Sequence, residues 1–320
     1  MPSIAITIDS KCNASCTHCC FSSNPKSEER LSDARIIELV DEAILSPGVD
    51  EIGISGGEAL LRPGLVMEII RRVHQAGKRS TLVTNGFWGH NEARANLRLT
   101  ELKTAGLSSL TISYDDFHAE FIPVRRIVNI LNANKRVELS CVINVAVTRS
   151  HTGDELISAL GNAALRTRIT KFPVHPVGSA SAMDDSEFIR DFDSADSLRC
   201  PGFEPLYHFD GNVYPCCSPA VFETALAIGK VDDLSVEIAQ RKISRNALFG
   251  IMRRIGFGWI VNTCREQGIL DIKAEERFID ACDLCRKLFT DESVIEKLTP
   301  HILKEHSRLP RISDHDLVQS

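Results

Sequence analysis

Basic residues are not in excess in this chain: 37 Lys and Arg stand against 43 Asp and Glu, for a net charge of -6 and a pI near 6.0. That balance argues against a nucleic-acid-binding surface, which carries a basic excess. Nor is there an apolar run approaching the roughly 18 residues that a membrane-spanning helix needs, so neither a nucleic acid nor a membrane is an expected partner. No secretory signal is read at the start, where the chain enters the apolar run Ile4–Ile8 and then a knot of cysteines. The eleven cysteines are an odd and grouped set, which fits metal ligation in the cytosol better than a disulfide framework.

What is present begins with Cys12, Cys16 and Cys19, spaced C-x3-C-x2-C directly after that first apolar run. A tight loop brings three such thiolates onto one small target, as a cubane iron–sulfur cluster requires, and leaves the fourth iron open. Zinc is the competing reading, with Cys20 or His18 as a fourth ligand. From the start to about residue 178, strand-like runs (Ile4–Ile8, Glu51–Ile54, Ser80–Val83, Ser109–Ile112, Val137–Val145, Ile169–Phe172) alternate with amphipathic stretches (Asp33–Ile44, Leu65–Ala76, Asn91–Ala105, Ile122–Ala133). Repeated βα units with buried strands predict a parallel α/β sheet, whose reacting groups gather at the C-terminal strand ends.

At those ends stand Gly56-Gly57-Glu58, where paired glycines let backbone approach a ligand and bond an amine. Thr84-Asn85-Gly86 also reads as an ordinary turn. Ser113 and Asp115 occupy alternate positions of an extended segment and are candidates for ribose hydroxyls. Asn144, between Ile143 and Val145, is either a contact to a ligand's carboxylate or ribose or a satisfied core amide. His118 and Lys171 are left without an assigned role. Residues 179–198 read as a linker or a substrate-facing connection. Beyond them, Cys200 and Cys216 flank an Asp210-Gly211 hairpin signal, and Cys282 and Cys285 form a C-x2-C pair. Four such thiolates suit a fully ligated cluster, with zinc again the competitor. Cys217 is then a spare thiol beside the site, although sequence alone does not order Cys216 and Cys217. Cys20 is also spare, and Cys141 and Cys264 read as packing residues.

The triple-cysteine spacing, with ring-bearing His18 before the last ligand, resembles the radical S-adenosylmethionine (radical SAM) enzymes. The βα units resemble their partial (β/α)6 TIM-type barrel. Gly56-Gly57-Glu58 matches the family's SAM-amine motif, although Ala59 stands where a proline is usual, and Asn85 belongs to a strand end that faces the cofactor. The C-terminal cysteines resemble a shortened auxiliary-cluster extension of peptide-modifying members. The resemblance sharpens over Cys12–Ser23, Asn85–Gly89, Leu110–Asp115, Ile169–Pro173, Tyr207–Gly211 and Tyr214–Pro219. These segments look like the radical SAM peptide epimerases of the epipeptide (YydG) type.

That resemblance implies a barrel over residues 1–178 and a cluster-bearing extension over 179–320. It implies two 4Fe–4S clusters, on Cys12, Cys16, Cys19 and on Cys200, Cys216, Cys282, Cys285, together with SAM as cofactor. It also implies a flavodoxin- or ferredoxin-type electron donor. The expected reaction is L-to-D conversion of residues, Val or Ile by resemblance, in a ribosomally made precursor peptide. A 5'-deoxyadenosyl radical removes the Cα hydrogen, and Cys217 returns one from the opposite face. No separate peptide-recognition domain is read ahead of the barrel, so recognition is expected at the barrel mouth and C-terminal segment. Thioether cross-linking on the same scaffold is the enzymatic alternative, and a metal-cluster sensor that binds a peptide unaltered is the non-enzymatic one.

Overall fold

The computed structural model describes residues 3–273 and 276–309. Six parallel strands are laid down in chain order: β1 (Ser3–Thr7), β2 (Glu51–Ser55), β3 (Arg79–Thr84), β4 (Ser109–Ser113), β5 (Cys141–Val147) and β6 (Arg168–Pro173). Between them run α1 (Asp33–Leu45), α2 (Pro63–Gln75), α3 (Glu92–Ala105), the short α4 (Asp116–Ala119), α5 (Val124–Val137) and α6 (Asp154–Leu160). The helix starts are chemically marked. Ser32 and Asn91 accept the backbone N–H groups of Arg35 and Arg94, and Pro63 occupies the first turn of α2.

The central strands β2, β3 and β4 alternate, and β5 does so through its middle. Ile52 and Ile54, Leu110 and Ile112, and Ile143 and Val145 are buried against the helices. Their neighbours Gly53, Ser55, Thr81, Thr111, Ser113, Val142 and Asn144 are half-exposed on the other face. Bulky branched side chains normally fill the inside of an α/β barrel. Here that face is lined by small and hydroxyl-bearing residues, which leaves it open.

The sheet continues past β1. A short strand β7 (Leu206–Tyr207) pairs parallel to β1, and β8 (Asn212–Tyr214) and β9 (Gly229–Lys230) add antiparallel strands. The β7–β8 connection is the expected Asp210-Gly211 hairpin, with Gly211 at φ +84°. Helices α7 (Val236–Ser244), α8 (Ala247–Arg254), α9 (Phe257–Glu266), α10 (Ala281–Phe289) and α11 (Glu292–His306) follow. They bury Phe249, Ile251, Ile260, Leu284 and Leu298 in a second core that also includes Leu206 and Tyr214.

Two expectations are corrected. The fifth strand does not start at Val137. That residue ends α5, Glu138 turns left-handed at φ 56°, and the strand begins only at Cys141. Residues 179–198 are not a loose linker either. Ala180 and Phe188 are buried with Cys12 and Cys16 in a small third core at the strand ends, and Ser179 N–H donates to the Cys19 carbonyl at 2.9 Å.

The first cysteine loop is held down by Gly56 and Gly57. Gly57 N–H donates to Asp9 O at 2.6 Å, and Glu58 N–H donates to Lys11 O at 2.8 Å. A Cβ on Gly57 would lie 2.3 Å from Lys11 O, and one on Gly56 would lie 2.8 Å from Asp9 O. Because the obstacles are backbone atoms, they cannot swing aside. Gly57→Ala is therefore expected to cost about 1–3 kcal/mol as an overpacking change and to weaken iron retention. Denaturant unfolding and iron content measure both, and parental values for both would contradict this packing.

Candidate functional site

The loop after β1 brings Cys12, Cys16 and Cys19 together. Cys12 and Cys16 are buried, Cys19 is half-buried, and the charged forms of Cys12 and Cys16 each repel that of Cys19. Burial pushes the Cys12 thiol up to about 11, and Glu58 and Cys19 add to the rise. Burial also raises Cys16, with Asp115 and the other two cysteines contributing. Three crowded thiols of this kind become thiolates together only around a cationic centre. Hydrogen-bond donors aim at two of the sulfurs. Asn85 Nδ2 lies 3.6 Å from Cys12 Sγ, and Ser23 N–H lies 3.4 Å from Cys19 Sγ. The residues thus fit a cluster with three protein ligands. Cys20 is half-buried next to Cys19, and His18 turns its Nε2 to Asp115.

Glu58 is tied to the ends of two strands. Its carboxylate is buried and accepts from Leu60 N–H at 2.9 Å, Thr84 Oγ1 at 2.9 Å and Asn85 N–H at 2.7 Å. It ties the end of β2 to the end of β3 and positions Asn85. Burial raises its pKa, opposed by these same hydrogen bonds. The Gly57 and Glu58 N–H groups are spent on the cysteine loop, so what this motif leaves for a bound amine is the Gly56 and Gly57 carbonyls. No hydrogen bond among the described residues ends on either.

Asp115 is held by several protein groups. Its carboxylate is buried and engaged by His118 Nδ1 at 2.9 Å, by His18 Nε2 at 3.3 Å and by Ala146 N–H at 3.3 Å. It also caps α4 through His118 N–H. What the strand end presents is two imidazoles braced by one carboxylate. His18 stacks on Phe117 at 4.5 Å, and Phe117 stacks on His151 at 4.5 Å. The sequence reading missed this assembly. Its one legible part was the Asp115–His118 spacing at a helix start.

Ser113 and Asn144 are half-exposed on the open face, and the Asn144 side chain bonds no described residue. It is not a satisfied core amide. Lys171 pairs with exposed Asp154 at the surface.

The second set, Cys200, Cys216, Cys282 and Cys285, lines one cavity together with Phe203, Met252 and Phe257. Burial raises all four thiols, Cys216 to about 12 and Cys282 to about 11, and Cys200, Cys216 and Cys282 all act on Cys285. Four thiols around one cavity are the donor chemistry that a fully ligated cluster takes. Cys217 does not line the cavity. Cys217 is exposed as a residue, yet its sulfur is hemmed in by the chain, and this burial together with the neighbouring Glu204 carboxylate holds its thiol above the ordinary value. Ser3 Oγ also donates to Glu204, so Cys217 lies toward the N-terminal end of β1. The three-cysteine loop stands at the other end, about 13 Å of strand away. Cys264 is buried in the second core, as a packing residue would be. Among the described residues, no helix is long and apolar enough to cross a membrane.

The profile of the radical SAM superfamily matches residues 6–146. The chain is 35% identical over 309 residues to the putative peptide biosynthesis protein YydG of Bacillus subtilis, covering 95% of this chain and 97% of that protein. GTP 3',8-cyclase of Streptomyces coelicolor is 35% identical over 117 residues, covering 35% of this chain and 32% of the cyclase. Among solved structures, native anSMEcpe with bound AdoMet superposes with a TM-score of 0.58 at 14% identity, covering 97% of this chain and 100% of that one. That likeness concerns the fold.

The Asp115 arrangement makes a pH-dependent prediction. Burial opposes its ionisation, but His118 and His18 outweigh burial and hold the carboxyl well below the usual range. A carboxyl depressed on folding stabilises above its unfolded value of about 3.9, and that stabilisation is lost as pH falls through the folded value. Asp115→Asn is expected to lose about 1–3 kcal/mol at neutral pH. The gap from the parent should narrow below about pH 4. Chemical denaturation across pH tests this, and equal stabilities at neutral pH would refute the bracing role.

Proposed function

The chain belongs to the radical SAM superfamily, in the family of the peptide biosynthesis protein YydG, and from that premise we propose that it is a peptide epimerase. A radical SAM enzyme of this family carries a 4Fe–4S cluster and SAM. Cys12, Cys16 and Cys19 are the residues to hold the first cluster, with the Gly56 and Gly57 carbonyls toward the SAM amine and Ser113 and Asn144 on the open face. Bound together, cluster and SAM supply one-electron cleavage that removes a hydrogen atom from carbon. Cys200, Cys216, Cys282 and Cys285 are assigned an auxiliary cluster, and the extension that bears it begins near residue 179. The substrate is a precursor peptide, and the half-exposed sheet face around Ser113 and Asn144 is its proposed seat. A low-potential one-electron carrier supplies the electrons.

The observation that carries the reading is Cys217, a thiol adjacent in sequence to the four-thiol cavity yet outside it. Loss of the Cα hydrogen leaves a planar carbon with no memory of its hand. To invert it, hydrogen must come from the face opposite the one attacked, so the donor has to stand across the substrate from the first cluster. Glu204 favours the protonated thiol, the form that has a hydrogen atom to give. Once that atom is given, the sulfur radical regains one electron and one proton, and the adjacent auxiliary site is the proposed electron source.

Anaerobic protein loaded with iron and sulfide, mixed with SAM, dithionite and the precursor peptide encoded beside it, is expected to yield D-residues, Val or Ile by family resemblance. Peptide mass should be unchanged in H2O and gain about one dalton per site in D2O, because the thiol hydrogen exchanges. Cys217→Ala should still form 5'-deoxyadenosine but give no clean D-product. Normal D-product from that variant removes Cys217 from the role, and a loss of two hydrogens from the peptide replaces epimerisation with cross-linking.

A further inference from the structure

A short stretch after β6 touches both cysteine sites. On one side, Ser179 N–H donates to Cys19 O at 2.9 Å. Gly178, at φ +59°, sits so close to the first loop that a Cβ there would lie 2.4 Å from Cys20 O and 2.6 Å from Cys19 O. On the other side, Gly178 N–H donates to Glu223 Oε1 at 3.1 Å, and Glu223 Oε2 pairs with Arg286 of α10 at 3.4 Å. Arg286 in turn reaches the fully buried Asp283 at 3.3 Å. Three residues earlier, His175 Nε2 meets Asp280 Oδ1 at 2.9 Å. The same Asp280 oxygen accepts Cys282 N–H at 2.8 Å and Asp283 N–H at 3.0 Å, capping the helix that carries Cys282 and Cys285.

Two independent hydrogen-bonded links thus run from the segment 175–179 to α10, and the same segment is pinned to the loop of Cys19. Val174 and Ala180, on either side, are buried in the core that contains Cys12, Cys16 and Ile279. The Glu223 and Asp280 carboxylates are each 36% exposed, so these links matter for the geometry they fix rather than for the strength of their charge pairing.

We propose that residues 175–179 form a strap that sets the second cysteine site in register with the first and provides the bonded route for one electron between their clusters, with His175 and Glu223 as its positioning residues. The step moves a single electron: the reduced cluster of one site is oxidised, the oxidised cluster of the other is reduced, and no proton or bond changes place. A low-potential chemical reductant such as dithionite supplies the electron. This inference rests on the two-cluster reading above.

The test uses full-length, anaerobically loaded protein: the parent, His175→Ala, Glu223→Ala, the double variant, and the conservative His175→Gln and Glu223→Gln. Iron per chain is measured alongside two readouts that are independent of turnover. These are the magnetic interaction between the two reduced clusters by electron paramagnetic resonance and the midpoint potential of the second cluster. The double variant is expected to lose the interaction and shift that potential while the first cluster still forms. His175→Gln, whose amide can still donate to Asp280, should restore most of both. Should the alanine variants fail to fold, Glu223→Gln alone should weaken the interaction, because it keeps the acceptor for Gly178 but loses the charge facing Arg286. Fully loaded variants with parental interaction and potential would overturn the strap while leaving the two clusters standing. Iron for only one cluster in the parent would instead sink the two-cluster reading, and the strap with it.

Discussion

The close passage of Gly56 and Gly57 against the backbone of Asp9 to Lys11 is the constraint on which the site depends. Two N–H groups of the β2 end grip two carbonyls of the cysteine loop at 2.6 and 2.8 Å, and there is no room there for a side chain. Glu58 then binds the same corner to β3 through Thr84 and Asn85. Asn85 in turn points its amide at Cys12. The geometry of three sulfurs is therefore set by backbone contacts one strand away, and the Gly56 and Gly57 carbonyls are left without a described hydrogen bond.

Around that corner the rest of the chain closes. Asp115 braces His18 and His118 from β4, and Phe117 and His151 extend the stack. The segment after β6 covers the loop from the other side and reaches α10, so the helices of the C-terminal half are tied to the first site rather than appended to it. The open sheet face lies between these walls. Its small residues are what an extended peptide needs, whereas a sealed barrel core would exclude one.

The cysteines and most of the strands were legible in sequence because their signals are local. Thiol spacing, β-branched runs and a hairpin Asp-Gly carry their meaning within a few residues. Where the reading went astray, the deciding contact was distant or depended on how a helix ends. Val137 looked like the start of a strand. Instead the Asn134 side chain bonds both backbone groups of Leu139, stopping α5 with Glu138 in a left-handed turn. Glu58 and Asp115 were recognised as important polar residues, but their partners come from neighbouring strands and loops, so their orientation inward could not be read. The segment 179–198 has a linker's composition, and the contacts that pack it, Ala180 and Phe188 beside Cys12 and Cys16 and Ser179 N–H on the Cys19 carbonyl, come from a loop far away in sequence.

The central claim is that the cluster on Cys12, Cys16 and Cys19 keeps one iron without a protein ligand. Electron paramagnetic resonance of the reduced protein, with Cys200, Cys216, Cys282 and Cys285 replaced so that the first cluster is observed alone, tests it most directly. Adding SAM is expected to change the spectrum, because the amine and carboxylate bind at the open iron. A spectrum indifferent to SAM, or zinc in place of iron at these three cysteines, would contradict the account.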